Sequence, residues 1–145
     1  MKTVLTTAAL LVGVFFAAPP VIAHHAFAAE FDRDKPITLV GKVSKIEWVN
    51  PHTWIHMDVT GSDGKVVTWA VEGGAPNALL RRGWNKNSVL PGTQLTVEGF
   101  RAKDGSNRAN GREATLSNGQ KLFIGSSGTG APADGRDQSE RSEKK

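Results

Sequence analysis

All four histidines of this 145-residue chain fall in two short stretches, His24-His25 and Asn50-Pro51-His52-Thr53-Trp54-Ile55-His56. Neutral imidazole is the commonest metal ligand among side chains. There is no cysteine, so thiolate chemistry, Cys-ligated metals and disulfides are excluded. A cut before His24 would place a free α-amine beside an imidazole, and the two nitrogens of that one residue can chelate an ion. A third nitrogen from His52 or His56 would complete a planar three-nitrogen set, which suits Cu(II). His25 offers a second route through the amine, its own amide and its imidazole. Residues 52 and 56 are about 13 Å apart along an extended strand, so at most one of these two histidines can join such a site. Asp58 shares a strand face with His56 and is its expected orienting partner.

The cut itself is expected. Met1-Lys2 is a short positive start, Val4 to Ala18 carries no charge, Pro19-Pro20 breaks any helix, and Val21 and Ala23 are the small or β-branched residues a signal peptidase accepts. This is the anatomy of a secretory signal over residues 1–23. A membrane anchor needs about 20 continuous apolar residues, and the two prolines interrupt the run too early. The expected product is therefore an exported protein, periplasmic or secreted, with no anchor after cleavage and with His24 first. A copper site built on such a residue resembles the histidine brace of exported copper proteins. Each histidine also has a plain structural use: His24-His25 as the point where processing stops, His52 as a turn cap after Asn-Pro, His56 as an exposed residue of a half-polar strand.

No catalytic set appears. The serines lack a nucleophile motif. Glu72 has no second carboxylate placed near it by spacing, with Glu98 only a loose possibility, and the glycines sit at turns rather than in a phosphate loop. Formal net charge is +4, falling by one when Lys2 leaves, and the basic residues are spread rather than clustered as nucleic-acid binding requires.

The elements that must position these residues are strands. In residues 37–49, Leu39, Gly41 and Val43 alternate, then Ile46 and Trp48 take over the phase, which predicts a bulge near Ser44-Lys45. Asn50-Pro51 is a turn. In residues 52–59, Ile55, Met57 and Val59 share one face, and His52, Trp54, His56 and Asp58 the other. Trp54 thus serves either as a cover for the second face or as a binding-surface aromatic. Ser62-Asp63-Gly64 predicts a hairpin turn. Val67, Trp69 and Val71 then form a core face, with Glu72 opposite, beside Thr68 and Ala70. Residues 76–82 predict a two-turn helix, with Pro76 at its start and Gly83 stopping it. A strand follows Pro91-Gly92 and runs to Ala102. Asp104-Gly105 opens what reads as a polar loop to about Gly111. Short strands flank an Asn118-Gly119 turn. Residues 125–145 hold no large apolar residue and equal numbers of acidic and basic groups, the composition of a disordered tail. The folded domain is expected over residues 24–124.

Three strands, a short helix and two or three more strands is the order of the OB-fold. The predicted class is mainly β: a small OB-like antiparallel barrel with one short helix between strands three and four. His24-His25-Ala26-Phe27, Gly41-Lys42-Val43, Glu47-Trp48-Val49-Asn50-Pro51-His52, Trp69, Glu72, Leu79-Leu80, Gly83-Trp84 and Pro91-Gly92 together resemble a family of small exported bacterial proteins of unknown function. The resemblance spans residues 24–124 and implies export and an OB-like barrel. In that fold the ligand surface lies on strands two and three and the first loop, here Asn50, His52, Trp54, His56 and Glu72. The leading functional expectation is a non-catalytic exported binding module, its partner a small molecule, a metal or a periplasmic protein. A copper-binding protein using His24, His25 and His52 or His56 is the alternative, and a copper-dependent oxidoreductase ranks last.

Overall fold

Period-two alternation builds six strands in the computed structural model, which describes residues 27–125. They are β1 (Phe31–Glu47), β2 (Trp54–Thr60), β3 (Val66–Glu72), β4 (Gln94–Ala102), β5 (Arg108–Leu116) and β6 (Lys121–Phe123), with a short α1 (Phe27–Glu30) before β1 and α2 (Pro76–Arg81) between β3 and β4. The expected leader, His24, His25 and the tail from residue 126 onward lie outside the described residues. No helix among the described residues is long and apolar enough to cross a membrane.

The sheet runs β3-β2-β1-β4-β5-β6, and β3 also pairs with β5, which closes a barrel-like ring. Its interior is filled by the alternating residues of the strands. Ile55, Met57, Val71 and Leu95 are fully buried, joined by Leu39, Val43, Trp69 and Val97. Burying each of these large side chains stabilises the fold by about 1.5–3 kcal/mol. Trp48, half-buried, packs edge-on against buried Trp84 with ring centroids 6.4 Å apart.

The phase slip in β1 is present. Its pairing with β2 shifts register between Val43 and Lys45, so Ile46 takes up the inward phase that Val43 leaves. The same slip turns Lys45 and Glu47 to the outer face, opposite His56 and Trp54. The β2–β3 hairpin closes at Gly64, and α2 ends at Gly83; both glycines have positive φ, 77° and 97°, where a side chain would be strained.

The mainly β class is as expected, and the ring closes through a parallel pairing of β3 with β5, Ala70 with Arg108 and Glu72 with Asn110. Three expectations change. The first strand begins at Phe31 rather than Ile37, since Phe31 is buried and pairs with Ala102. The stretch read as a polar loop from Asp104 is a turn only to Asn107, and residues 108–111 begin β5. Its inward positions are Ala109 and Gly111, too small to show as an apolar alternation. They are small because the seam is tight: a Cβ on Gly111 would come within 2.8 Å of Ile124 Cγ2 and 2.9 Å of Val71 Cγ1. Finally, Val67 is 37% exposed despite its core phase, because it lies on the hairpin end of β3, away from the residues that close the ring.

Candidate functional site

The Asn-Pro-His corner joins β1 to β2 and is pinned from several sides. The Asn50–Pro51 peptide is cis. Thr53 N–H donates to Gly74 O at 3.0 Å, and Gly73 N–H donates to Thr53 O at 2.8 Å, tying the start of β2 to the end of β3. Gly74 N–H in turn donates to Ile124 O at 2.7 Å. His52 therefore stands on backbone held by two other parts of the ring, not on a loose turn.

His52 Nδ1 lies 3.1 Å from Glu72 Oε1 and 3.2 Å from Gly73 O. Both neighbours are acceptors only, so Nδ1 carries the proton and donates. That tautomer leaves the lone pair of neutral His52 on Nε2. His52 Nε2 is shielded from solvent and has no hydrogen-bond partner. Glu72 itself is buried, with 7% of its surface exposed.

His56 is held differently. Its Nε2 lies 2.7 Å from Glu47 Oε2, and Lys45 Nζ donates to Glu47 Oε1 at 2.6 Å. The β1 bulge brings these two β1 side chains opposite β2. Hydrogen bonds from Lys45 first, and then from His56, hold the Glu47 carboxyl below the ordinary glutamate value. The expected partner, Asp58, instead accepts a 2.7 Å hydrogen bond from Thr68 Oγ1. His52 and His56 are thus anchored on opposite neighbours of β2, His52 toward β3 and His56 toward β1.

Trp54 is half-buried and pairs across β2 with both Glu72 and Glu47. Asn50 is exposed at the corner. One residue that sequence reasoning missed belongs to this face: Asn110, paired with Glu72 across the parallel seam, is 7% exposed and its Oδ1 is buried without a partner. Its strand had been hidden inside the supposed loop. Glu47 and Lys45 were within reach of the sequence, because the expected bulge already implied their outward phase.

The described chain starts near this row. Phe27 packs edge-on against Phe100, with centroids 5.3 Å apart. Phe100 pairs with Asn110, Asn110 pairs with Glu72, and Glu72 touches His52. Arg108 Nη2 bonds Glu30 Oε2 at 2.6 Å and fastens α1 to the start of β5. Among the described residues no group of three or more His, Asp or Glu side chains is gathered as a metal site. A shallow cleft of about 130 Å³ lies between Pro36, Thr38, Glu98, Phe100 and Arg112. Small-molecule pockets usually hold about 300–1,000 Å³, so the polar corner is the better candidate site.

The Asn-Pro-His corner, Trp69, Glu72, Leu79-Leu80, Gly83-Trp84 and Pro91-Gly92 all lie inside one family match. This chain belongs to the DUF6152 family. DUF6152 is described as a family of unknown function, and the match covers residues 12–112. The match starts earlier than residue 24 and leaves β6 outside it. No curated protein and no solved structure matches the chain.

Proposed function

We propose that this DUF6152 protein is an exported, non-catalytic binding module whose recognition surface is the outer face around Asn50, His52, Trp54, His56 and Glu72. The observation that carries the reading is His52, an imidazole oriented through Nδ1 whose buried Nε2 has no hydrogen-bond partner. A structural histidine would be expected to use both ring nitrogens or to leave one in water. The other ionisable groups nearby are already engaged with neighbours, Glu47 with Lys45 and His56, and Asp58 with Thr68. That pattern favours holding a ligand over moving protons. Export follows from the signal anatomy of residues 1–23, which leaves a periplasmic or secreted domain without an anchor.

Expression of the full chain in a Gram-negative host tests the first half. The expected product is periplasmic and has the intact mass of a chain beginning at His24. A cytoplasmic, full-length product overturns export. For the surface, ¹⁵N-labelled mature protein is titrated with divalent metal salts and with the low-molecular-mass fraction of a periplasmic extract. Shift changes centred on His52, Trp54 and Glu72 are expected. Changes centred on the Pro36–Arg112 cleft, or none with any probe, overturn the assignment.

A further inference from the structure

We infer that the open edge of β3, over residues 66–69, binds an extended peptide segment of a partner protein. The segment adds to the sheet as a further strand and carries a carboxylate on the side facing Arg101. This site is separate from the Asn-Pro-His corner.

The backbone makes the first argument. β3 pairs with β2 along its whole length but with β5 only from Ala70 to Glu72. Ala70 N–H donates to Asn107 O at 3.0 Å and so points away from β2, whereas Lys65 O accepts from Gly61 N–H across the hairpin. Residues along an antiparallel strand alternate between bonding a partner and pointing away from it. The N–H and C=O of Val66 and Thr68 therefore point outward, at the level where the chain before β5 turns off toward β4. Among the described residues no strand lies beside them. Such a row is a template for another extended chain.

The edge also lacks the devices that blunt one. Residues 66–69 hold no proline, no charge and no bulge, and Val66 and Val67 are 63% and 37% exposed. By contrast β6, at the far end of the sheet order, has only 3 residues and begins with Lys121.

Size and charge decide the occupant. A stable dimer buries at least about 1,200 Å², more than two such short edges provide. A peptide added to an edge draws its affinity from main-chain hydrogen bonds and its specificity from alternate side chains. On the face shared by Val67 and Trp69, the Arg101 guanidinium sits 5.4 Å from the Trp69 ring centroid and donates to Gly105 O at 3.5 Å. Among the described residues it meets no carboxylate. Lys65, two residues before Val67, is exposed and lies 3.8 Å from Asp63. The other face carries Val66 and Thr68, and there Asp58 accepts from Thr68 Oγ1 and repels a second carboxylate. The incoming strand that fits is acidic on the Arg101 side and apolar on the Val66 side, an alternation of period two.

The test pans a display library of random heptapeptides on the immobilised protein, and the enriched sequences are synthesised. Alternating apolar and acidic sequences are expected. In the protein alone, the Val66 and Thr68 amides should exchange rapidly with solvent while those of Val67 and Trp69 are protected. The synthesised peptide should protect Val66 and Thr68 as well. Val66→Pro removes one outward donor and keeps the bonds to β2, as proline on an edge strand does. It should weaken peptide binding by about 2–10-fold, the worth of one hydrogen bond. Arg101→Gln should abolish the preference for the acidic peptide over its Glu→Gln counterpart while leaving the edge protection in place. Circular dichroism checks the fold of each variant, and either one alone decides the matter.

Undiminished binding to folded Val66→Pro protein, or an acidic preference that survives Arg101→Gln, would overturn the inference. So would a library that enriches nothing, or winners without an acidic residue. A protein that is dimeric by itself, with Val66 and Thr68 already protected, would also end it, because a second copy would then hold the edge.

Discussion

Glu72 Oε1 stands 3.1 Å from His52 Nδ1, joining the last residue of β3 to the turn that opens β2. Neither residue is near the other in sequence. The β2–β3 register makes the contact, by setting Trp54 against Glu72, two residues beyond His52. The pair is a proton donor and a buried acceptor, and its consequence is directional: it decides which ring nitrogen carries the proton.

Replacing that carboxylate tests the direction. Glu72→Gln keeps the shape of the side chain but removes the charge, and its amide can present either oxygen or NH₂ to the ring. The expected result is a mixture of Nδ1–H and Nε2–H forms of the His52 ring, read from its ¹⁵N ring shifts, where the parent holds the Nδ1–H form. An unchanged tautomer in a folded variant would show that Gly73 O alone orients the ring.

The Lys45–Glu47–His56 chain predicts a pH dependence of stability. The folded Glu47 carboxyl titrates below its ordinary value. Unfolded glutamate titrates near about 4.3. The folded state therefore binds fewer protons between the two values, and its advantage is present above the unfolded value and lost as pH falls through the folded one. Urea midpoints of the parent and of Glu47→Gln are expected to differ at pH 7. The difference should close on acidification below about pH 4. A gap that persists in acid would mean that Glu47 acts through packing rather than charge.

Gly111 is expected to resist any side chain. A methyl there meets Ile124 Cγ2 and Val71 Cγ1 inside contact distance, on the seam where β3 and β5 close the ring. Overpacking of this kind costs about 1–3 kcal/mol. Chemical denaturation of Gly111→Ala should show a loss of that size. A neutral substitution would mean that the seam opens more easily than its packing implies.

Ile124 lies beyond the last strand yet is fully buried, and its carbonyl receives Gly74 N–H. Ile124→Ala should cost about 2–5 kcal/mol, as large-to-small core changes do. Leu80→Ala on α2, where the leucine is 44% exposed, should stay within about 0.5 kcal/mol. Equal losses at the two positions would contradict the placement of Ile124 inside the core.

Much of the architecture was legible before any coordinates. The inward phases of Leu39, Val43, Ile55, Met57, Trp69 and Val71 were readable as alternation, and so were the β1 bulge, the Gly64 and Gly119 turns, and the helix from Pro76. Each is a local property: side-chain alternation, glycine at positive φ and proline at a helix start act within a few residues. The first half of β5 was not legible, because its inward residues are small and its polar ones mimic a loop. The partner of His56 was misread for a related reason. Asp58 is the same-face neighbour along the strand, but Glu47 is the neighbour across it, and a bulge delivered it there.

The residues themselves determined the chemical inventory: four histidines in two clusters, no thiols, and strands with one apolar face. Only the tertiary structure decided which carboxylate meets which imidazole, that the ring closes through a parallel β3–β5 seam, and that Asn110 joins Glu72 on the outer face. The physical reason is range. Alternation and turn chemistry are set by neighbours in the chain, whereas cross-strand partners depend on register and closure, which the fold settles by burying all its inward side chains at once.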